Sequence, residues 1–492
     1  MKDMKSTISV LVLALLLMIS CKKEFLTLVP ESSVTTELVF KTDDDFRNAL
    51  NGVYSLFRNF YNNAWVFGDL PADDCEHYAL RSVDLVNIDN FNVDVNSSDI
   101  SNAWLYLYRT IGSANLVLSR LETADPSIII NKAQYEAEAR FCRALAYFNL
   151  VRIFGDLPML TEPVTVEATL IIPRTDVDII YDEIIIRDFL AAEAMLPVSY
   201  PLSMVGLPTK GAAKSLLGKV YLTLHDFTNA ESKLTEVTKM GYALLEDWFD
   251  LFDWENEHHS EYIFDIEYIG GGLGIGSNFQ ITFSSQDQDI GSPWVNALRE
   301  VFSYKGSRGG NGGGTPSLDF LNSFDPNDIR KEKTAIDGIY DLKGKWVTSI
   351  GPTPRITLKY VQPGYNFSVS NDGLPNWRVT RYADVILMLA EALNENGKTP
   401  IALVYLNQIR VRAGLEEYSA LTQTEARDKI LEERSRELYL EGHRWFDLVR
   451  TGRAMEFLGP LGMKPYMTVF PVPQSQIEIY NDPSIFPQNE GY

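Results

Sequence analysis

The chain has 492 residues, of which 45% are hydrophobic and 22% charged, so it is long enough to bury a large core in one or two domains. Asp and Glu total 66 against 44 Lys and Arg, which gives a formal net charge of -22 at pH 7. So acidic a surface repels polyanions and argues against nucleic acid as a partner. The 3 cysteines are too few for a disulfide scaffold, and their spacing matches no zinc motif.

The N-terminus has the pattern of a bacterial lipoprotein signal. Lys2 and Lys5 precede an apolar run over residues 8–19, which is too short to span a bilayer. A small residue and then Cys21 follow this run, which predicts removal of residues 1–20 as a signal peptide and attachment of lipid to the Cys21 sulfur. The protein is therefore expected to be anchored to a membrane and not to cross it.

The first half of the chain is dominated by the helical period. Residues 43–60, 100–121 and 134–155 repeat apolar side chains at steps of three and four residues. This spacing predicts helices with one buried face each. No strand-like alternation of comparable length occurs before residue 250.

Two stretches follow the spacing of tetratricopeptide repeats, in which small residues let paired helices approach each other. Residues 212–237 carry Gly218, Ala230 and Leu234 at the offsets of this repeat, and residues 381–415 repeat the plan. They predict a scaffold of packed helix pairs.

Between these two stretches the helical period disappears. The sequence becomes rich in Gly, Ser, Asn and Asp, and only short runs such as residues 261–269 and 355–362 look like strands. The predicted fold class is mostly α, a tetratricopeptide-like helical scaffold with an inserted irregular lobe that contains short β segments. The predicted parts are a signal peptide (1–20) and one domain (21–492), made of a helical body (40–254 and 376–455), the lobe (255–375) and a C-terminal extension (456–492).

No motif predicts a cofactor or a metal site. The glycines of residues 272–276 lack the spacing of a dinucleotide or phosphate loop and indicate a surface loop. His258 and His259 are adjacent and lack the spacing of a zinc-binding pair, which favours a solvated acidic turn. Two glycosidase carboxylates can lie anywhere in a chain, so a glycoside hydrolase or peptidase on a helical scaffold stays open as an alternative.

Residues 430–450, "ILEERSRELYLEGHRWFDLVR", combine many charges with aromatic side chains. Read as one helix, they place Glu437 and Glu441 one turn apart, and two like charges at this spacing need a cation from elsewhere. Arg410 or Arg412 of the preceding repeat is the predicted source. This pattern favours a structural role over an active site.

Several segments along the chain form a characteristic series: "FRNALNGVYSLF", "EARFCRALAYFNLVRIFGDLPML", "RYADVILMLAEALNE", "LNQIRVRAGL" and "ILEERSRELYLEGHRWFDLVRTG". In this order they resemble the SusD/RagB family of surface glycan- and nutrient-binding lipoproteins, nearly end to end. The resemblance implies a surface-exposed lipoprotein of the outer membrane that acts with a SusC-like TonB-dependent transporter. The implied function is non-catalytic capture of extracellular oligosaccharide or polysaccharide for import, with peptide capture, as in the RagB branch, as the alternative.

The resemblance also places the ligand surface on loops after the first helices and in the lobe. Sugars stack on aromatic rings and bond to Asp, Asn and Arg side chains, so such residues on these loops are the candidates. The predicted ligand-binding residues are Trp65, Asp73, Tyr78, Arg81, Asn96, Trp294, Tyr304 and Arg308. Trp294 follows a proline and is expected at a turn with its ring at the surface. The tryptophans in helical pattern, expected in the core, are Trp104, Trp248 and Trp445.

Overall fold

The computed structural model describes residues 40–77, 82–284, 292–302, 311–348, 355–361 and 372–492. Within these ranges the protein is mostly α-helical with a few short strands, which confirms the predicted fold class. The predicted lipidation site Cys21 lies outside the described residues. No helix of the described ranges has the length and apolar character needed to cross a membrane.

The first half of the chain is a succession of helices. Their bounds are α1 Asp43–Tyr61, α2 Trp65–Gly68, α3 Val83–Asp89, α4 Ser98–Thr123, α5 Lys132–Phe154, α6 Val166–Thr169, α7 Val177–Ile180, α8 Ile186–Met195, α9 Lys210–Thr223 and α10 Phe227–Val237. A π-helical turn, Tyr181–Ile185, joins α7 to α8, and short 3-10 turns lie at Leu202–Met204 and Trp248–Phe252. Helices α1, α4 and α5 confirm the three helices predicted from periodicity.

Helices also occur through the second half. Their bounds are α11 Phe279–Phe283, α12 Pro293–Phe302, α13 Leu318–Asn322, α14 Lys331–Thr334, α15 Tyr382–Glu395, α16 Thr399–Arg412, α17 Gln423–Leu438, α18 Arg444–Arg450, α19 Ala454–Leu458 and α20 Gln474–Tyr480. Two 3-10 turns, Gly459–Leu461 and Pro465–Thr468, precede α20. Thr422 begins α17 with a capping box, because its hydroxyl accepts from the N–H of Glu425 while the Glu425 carboxylate accepts from the N–H of Thr422.

In the described ranges, eight short strands form four antiparallel pairs. Their bounds are β1 Cys75–Glu76, β2 Leu157–Pro158, β3 Arg174–Thr175, β4 Tyr262–Ile266, β5 Thr315–Pro316, β6 Gly338–Tyr340, β7 Trp346–Thr348 and β8 Trp377–Arg381. The pairs are β1 with β5, β2 with β3, β4 with β8, and β6 with β7. Because β8 runs directly into α15, its pairing with β4 joins the lobe to the helical body.

The tetratricopeptide-like stretches form helix pairs as predicted, α9 with α10 and α15 with α16. Gly218 shows why a small residue is needed, because a Cβ at this position would lie 2.5 Å from the side chain of Leu234. Both helix pairs contribute to one large apolar core. The tryptophans predicted for the interior, Trp104, Trp248 and Trp445, are all buried.

The lobe is more regular than its composition predicts. Its predicted strand at residues 261–269 is confirmed by β4, but the expected strand at 355–362 is wrong, because Ile356 forms only an isolated bridge with Ile336. The ten-residue helix α12 was not predicted at all. The division of the chain at residues 255 and 375 stays a prediction.

Residues 430–450 do not form the single helix that was predicted. Helix α17 ends at Leu438 and α18 begins at Arg444, and both Leu440 and Gly442 between them have positive φ angles of 56° and 81°. At this break the backbone packs directly on Gly68, where a Cβ would lie 2.5 Å from Gly442. Contacts from a distant part of the chain therefore replace a helical turn that the local sequence favours.

A buried ion-pair layer connects the lobe to the body beneath this break. At its centre Arg381 contacts Glu261 at 2.6 Å, Glu437 at 2.7 Å and Glu441 at 2.7 Å. The side chains of the layer are almost fully buried. We use the name ion-pair layer for Glu261, Arg330, Lys359, Arg381, Arg412, Glu437 and Glu441.

The predicted source of the cation, Arg410 or Arg412, is confirmed by Arg412. Arg412 contacts Glu437 at 2.7 Å, as predicted, whereas Arg410 contacts Glu433 at 3.4 Å instead. Glu441 is paired with Arg381 and with Lys359, whose Nζ lies 2.8 Å from its carboxylate. Burial alone would raise the pKa of Glu441, but these two cations outweigh it and lower the pKa to about 2.

Candidate ligand-binding face

The β6–β7 hairpin is closed by a turn that is held by hydrogen bonds of Asp341. The Asp341 carboxylate accepts hydrogen bonds from the backbone N–H of Lys343 at 2.9 Å and of Lys345 at 2.8 Å. The Asp341 N–H also donates to the Lys345 carbonyl at 2.9 Å. These bonds fix the register in which Tyr340 lies opposite Trp346.

The two faces of this hairpin differ in burial. Successive side chains of a strand point to opposite faces, and Ile339 and Val347 accordingly lie on the inner face, where both are buried. On the outer face Tyr340 is 64% exposed and Trp346 is 44% exposed. A large aromatic surface is therefore held in solvent by a small, buried apolar base.

Trp294 belongs to that base. Its indole is 0% exposed and packs in one cluster with Ile339, Val347 and Ile336. The prediction of a ring presented at the surface is wrong, because Pro293 does not interrupt a helix here but starts α12. Proline is well tolerated in the first turn of a helix, where its missing N–H would have no partner.

The outer face has the geometry of a stacking platform. The Tyr340 and Trp346 rings lie 4.9 Å apart, centroid to centroid, at an angle of 67°. The Trp346 indole lies against Gly338, where a Cβ would come within 2.5 Å of the ring. The glycine therefore lets one face of the indole rest on the backbone, while the exposed part of the ring is available to a ligand.

A second feature, which we call the rim, is formed by Glu76, Ser284, Gly312, Pro316 and Arg355. The Arg355 guanidinium donates to the Glu76 carboxylate at 2.7 Å and to the Pro316 carbonyl at 2.7 Å. The Gly312 N–H donates to the Ser284 carbonyl at 2.9 Å. Strands β1 and β5 pair at the same place. The rim thus brings together parts of the chain that are far apart in sequence.

Four predicted ligand residues lie outside the described residues: Tyr78, Arg81, Tyr304 and Arg308. The described residues nearest to them in sequence include His77 and Asn311, which adjoin the rim residues Glu76 and Gly312. A role for these four residues in ligand binding stays a prediction.

Trp65 and Asp73 lie in the described part of the chain, and both make contacts with other residues of the protein. The Trp65 ring is 2% exposed, packs edge-on against Phe283 at 5.5 Å, and lies 3.0 Å from the position of a Cβ at Gly313. Its predicted exposure at the surface is therefore wrong. The Asp73 carboxylate is held by the Arg444 guanidinium through two bonds of 2.6 and 2.7 Å, so its oxygens already have a partner.

Asn96 is exposed but has local partners. Its backbone N–H and its side-chain amide both donate to the Asp94 carboxylate, at 2.8 and 3.2 Å. The neighbouring Val95 carbonyl accepts from Gln474 of the C-terminal extension. None of these contacts connects Asn96 with the rim or the hairpin, so the described geometry does not bring it together with the other candidates.

Some polar groups buried beside the rim have no hydrogen-bond partner in the described part of the chain. They are both ring nitrogens of His77 and the side-chain amide of Gln280. Burial lowers the pKa of His77 to about 4, so its imidazole is neutral at neutral pH. Because buried polar groups nearly always have a partner, these groups indicate a place for water or for a polar ligand.

The carboxyls near the rim serve as buried acceptors. Asp74 accepts from the Ser435 hydroxyl at 2.8 Å, and burial together with the neighbouring Asp73 raises its pKa to about 7. Asp89 accepts from the His77 N–H at 3.1 Å, and burial raises its pKa to about 7. Within the described ranges, no group of three or more His, Cys, Asp and Glu is arranged to hold a metal ion.

The fold and this face define a class of protein: a helical-repeat scaffold that carries an exposed aromatic hairpin on an inserted lobe. Residues 347–478 match the SusD family, and residues 24–222 match a family described as "Starch-binding associating with outer membrane". The chain belongs to the SusD/RagB family.

Individual proteins agree with this assignment. A SusD-like protein of Formosa agariphila is 28% identical over 515 residues, covering 94% of each chain. The starch-binding protein SusD of Bacteroides thetaiotaomicron is 22% identical over 505 residues, covering 88% of this chain and 86% of its own. Among solved structures, a laminarin-binding SusD-like protein superposes with a TM-score of 0.77 at 26% identity, covering 92% of this chain and 100% of its own.

Proposed function

We propose that this protein binds extracellular oligosaccharide or polysaccharide without chemical conversion and delivers it to a SusC-like TonB-dependent transporter. The observation that carries the proposal is the Tyr340 and Trp346 pair, which stands exposed on a hairpin of fixed register. Two adjacent exposed rings form an apolar patch of the kind that marks a binding site. Two rings at an angle of 67° fit the apolar C–H faces of a sugar chain.

Polar groups suited to sugar hydroxyls support the same function. Arg355 and Glu76 form a fixed pair of donor and acceptor at the rim, and the buried amide of Gln280 has no partner among the described residues. The predicted residues Tyr78, Arg81, Tyr304 and Arg308 are proposed to complete this surface. Relatives named for binding laminarin and starch favour a glycan over a peptide as the ligand.

The proposed location is the outer face of the outer membrane, with a lipid on Cys21 as the anchor. The sequence signal and the family description "associating with outer membrane" both support it. A Cys21→Ala variant is expected to leave the membrane fraction, because the lipid is then missing. Unchanged fractionation would refute the anchor.

The glycan proposal is tested by removing one ring. Trp346→Ala is expected to weaken binding about 10- to 100-fold, which corresponds to roughly 1–3 kcal/mol for the loss of a large aromatic contact. Affinity is measured by isothermal titration with laminarihexaose and maltoheptaose, after a screen of polysaccharides by affinity electrophoresis. Leu342→Ala is the matched control, since this apolar side chain is 72% exposed at the same hairpin but offers no ring.

Three results would contradict the proposal. The first is equal affinity of the Trp346→Ala variant and the wild-type protein for a glycan that binds. The second is binding of a peptide pool and of no glycan in the screen, which would support the RagB-like alternative. The third is the appearance of shortened products after incubation with purified protein, which would indicate an enzyme.

A further inference from the structure

A cavity of about 250 Å³, partly open to solvent, lies in the helical body, and none of the described residues that line it belongs to the lobe. Its walls come from α5, the π-helical turn, α9, α15, α17, α18 and the 3-10 turn at Pro465–Thr468. A water molecule occupies ~30 Å³ in the liquid, so the cavity has room for a group of several heavy atoms. The site is therefore separate from the hairpin and the rim.

Among the described residues, four cations line this cavity: Arg152, Lys219, Arg434 and Arg450. Three of them are neutralised by carboxylates. Lys219 contacts Asp384 at 2.7 Å, Arg434 contacts Asp384 at 3.0 Å and Asp447 at 2.7 Å, and Arg450 contacts Asp447 at 2.8 Å and also Glu391. These three cations share the carboxylates of Asp384, Asp447 and Glu391, and each carboxylate is in at least one of these ion pairs.

Arg152 is the fourth cation, and no carboxylate of the described residues lies within ion-pair distance of it. Its Nε donates to the Phe148 carbonyl at 3.1 Å and its Nη2 to the Asn149 side chain at 2.7 Å. The guanidinium lies between the rings of Phe148 and Phe446, 4.0 and 4.1 Å from their centroids. The rings fix the plane of the guanidinium, and its Nη1 has no hydrogen-bond partner in the described ranges.

Two neutral donors line the same cavity. Among the described residues, the Tyr181 hydroxyl and the His443 imidazole are influenced by burial and by nearby charges, and neither has a side-chain hydrogen bond. Burial, followed by the charge of Lys219, lowers the pKa of His443 to about 3, so one ring nitrogen carries a proton and the ring is uncharged at neutral pH. A fixed guanidinium edge, a phenol and an imidazole N–H are the donors that bind oxyanions.

We propose that this cavity binds a small oxyanion, meaning a carboxylate, sulfate or phosphate group, with Arg152 as its charged partner and Tyr181 and His443 as additional donors. The excess of cations over carboxylates favours an anion over a neutral sugar. The anion is either a free ion or the charged substituent of an acidic sugar, and both present the same oxygens. The proposal is independent of the glycan platform on the hairpin.

The test is isothermal titration of the full-length protein in detergent with sodium sulfate, sodium phosphate and sodium glucuronate. Sodium chloride keeps the ionic strength constant, and glucose serves as the neutral comparison. We expect saturable binding of at least one oxyanion with a stoichiometry near one, and no binding of glucose to this cavity. Arg152→Met should weaken this binding about ten-fold or more, and Tyr181→Phe should weaken it several-fold.

Arg187→Met is the matched control, because Arg187 lies on the surface of α8 in a pair with Glu183. It should bind the oxyanion as the wild-type protein does. If Arg152→Met does not fold, the result for Tyr181→Phe tests the proposal, since this change removes a single hydroxyl.

Binding of sulfate or phosphate alone assigns a free ion as the ligand, and tighter binding of glucuronate assigns an acidic sugar. Absence of saturable binding for all three salts, or equal binding by the Tyr181→Phe and wild-type proteins, would overturn the proposal.

Discussion

The ion-pair layer and the β6–β7 hairpin reverse the usual distribution of side chains. In the layer, Arg381 and Glu437 are charged and buried, whereas on the hairpin Tyr340 and Trp346 are aromatic and exposed. Most proteins keep charges outside and large aromatic rings inside. Each reversal has its own physical reason. Buried charges persist only when each is paired, and exposed aromatic rings in a fixed arrangement are suited to contact with a partner.

The comparison shows that residue type alone does not reveal function in this fold. The stretch of residues 430–450 has charged residues of the kinds found in active sites. Its buried carboxylates, however, form ion pairs with Lys and Arg side chains of the same protein. The hairpin has few charged side chains in its strands and offers the larger free contact surface.

The largest effect is expected in the ion-pair layer. Glu441→Ala leaves Lys359 without its carboxylate and Arg381 with one fewer, so the free energy of unfolding should fall by about 3–5 kcal/mol, measured by denaturation in urea. Glu432→Ala is the control, because its carboxylate lies on the surface beside Lys429 and should contribute less than about 1 kcal/mol. If Glu441→Ala is as stable as the wild-type protein, the ion-pair layer does not stabilise the fold.

This stabilisation should also depend on pH. The pKa of Glu441 falls from an ordinary value of 4.5 to about 2 in the folded protein. Its contribution is therefore complete above about pH 4.5 and is lost as the pH falls towards 2. The stability difference between the wild-type protein and Glu441→Ala should shrink over this range.

The next effect separates the two tryptophans of the lobe. Trp294→Ala should lower the free energy of unfolding by about 3 kcal/mol, because it empties the base of the hairpin. Trp346→Ala should lower it by less than about 1 kcal/mol, because that ring is partly in solvent. Urea denaturation followed by tryptophan fluorescence measures both variants. Equal destabilisation by the two changes would contradict the assignment of an inner and an outer face.

A smaller effect concerns a buried carboxyl outside the ion-pair layer. Burial, aided by the charges of Glu267 and Glu257, raises the pKa of Asp265 to about 8 against the opposing charge of Arg378. The folded protein therefore retains a proton that the unfolded chain loses near pH 4, and stability should fall as the pH rises from about 4 to 8.

Asp265→Asn imitates the protonated carboxyl and should remove this loss. We expect the stability of the variant relative to the wild-type protein to rise by a few kcal/mol between pH 5 and pH 8.5, because the wild-type protein loses stability over this range. Denaturation in urea at the two pH values measures it. Asp319→Asn, an exposed change in α13, is the control. A difference that does not vary with pH would refute the raised pKa.

The smallest change in stability is expected at the platform itself. Gly338→Ala adds a methyl group where the Trp346 indole lies, so the ring must move. We expect a loss of stability below about 1 kcal/mol and a several-fold loss of glycan affinity, measured by titration. Lys343→Ala at the same turn is the control. If Gly338→Ala binds as tightly as the wild-type protein, the resting position of the indole is not important for binding.

Most of the helical body could be predicted from local patterns. The period of three to four residues locates α1, α4 and α5, and the small residue Gly218 marks a close helix pair. The break after α17 could not be predicted, because it depends on Gly68 and on a hydrogen bond from the Gly442 N–H to Asp69. Nothing in the sequence near residue 442 indicates these distant partners.

The candidate site was predicted less well, for a related reason. A tryptophan in a loop-rich segment can face inward or outward, and Trp294 faces inward because α12 packs on the hairpin. A readable signal did exist at residues 338–348, where two short alternating runs flank a turn that contains Gly344. This pattern predicts a hairpin with Tyr340 and Trp346 on one face.

The contact between Gly68 and Gly442 has a consequence for how the chain folds. The Asp69 carboxylate and the Gly442 N–H are 373 positions apart, and Asp73 and Arg444 are 371 positions apart. Closing so long a loop is slow, and the buried Asp69 carboxylate gains its donors, the backbone N–H groups of Gly442 and His443, only when the break after α17 is in place. A chain that ends before residue 440 should therefore remain open and aggregation-prone, and the body should reach its native state only when nearly the whole polypeptide is present.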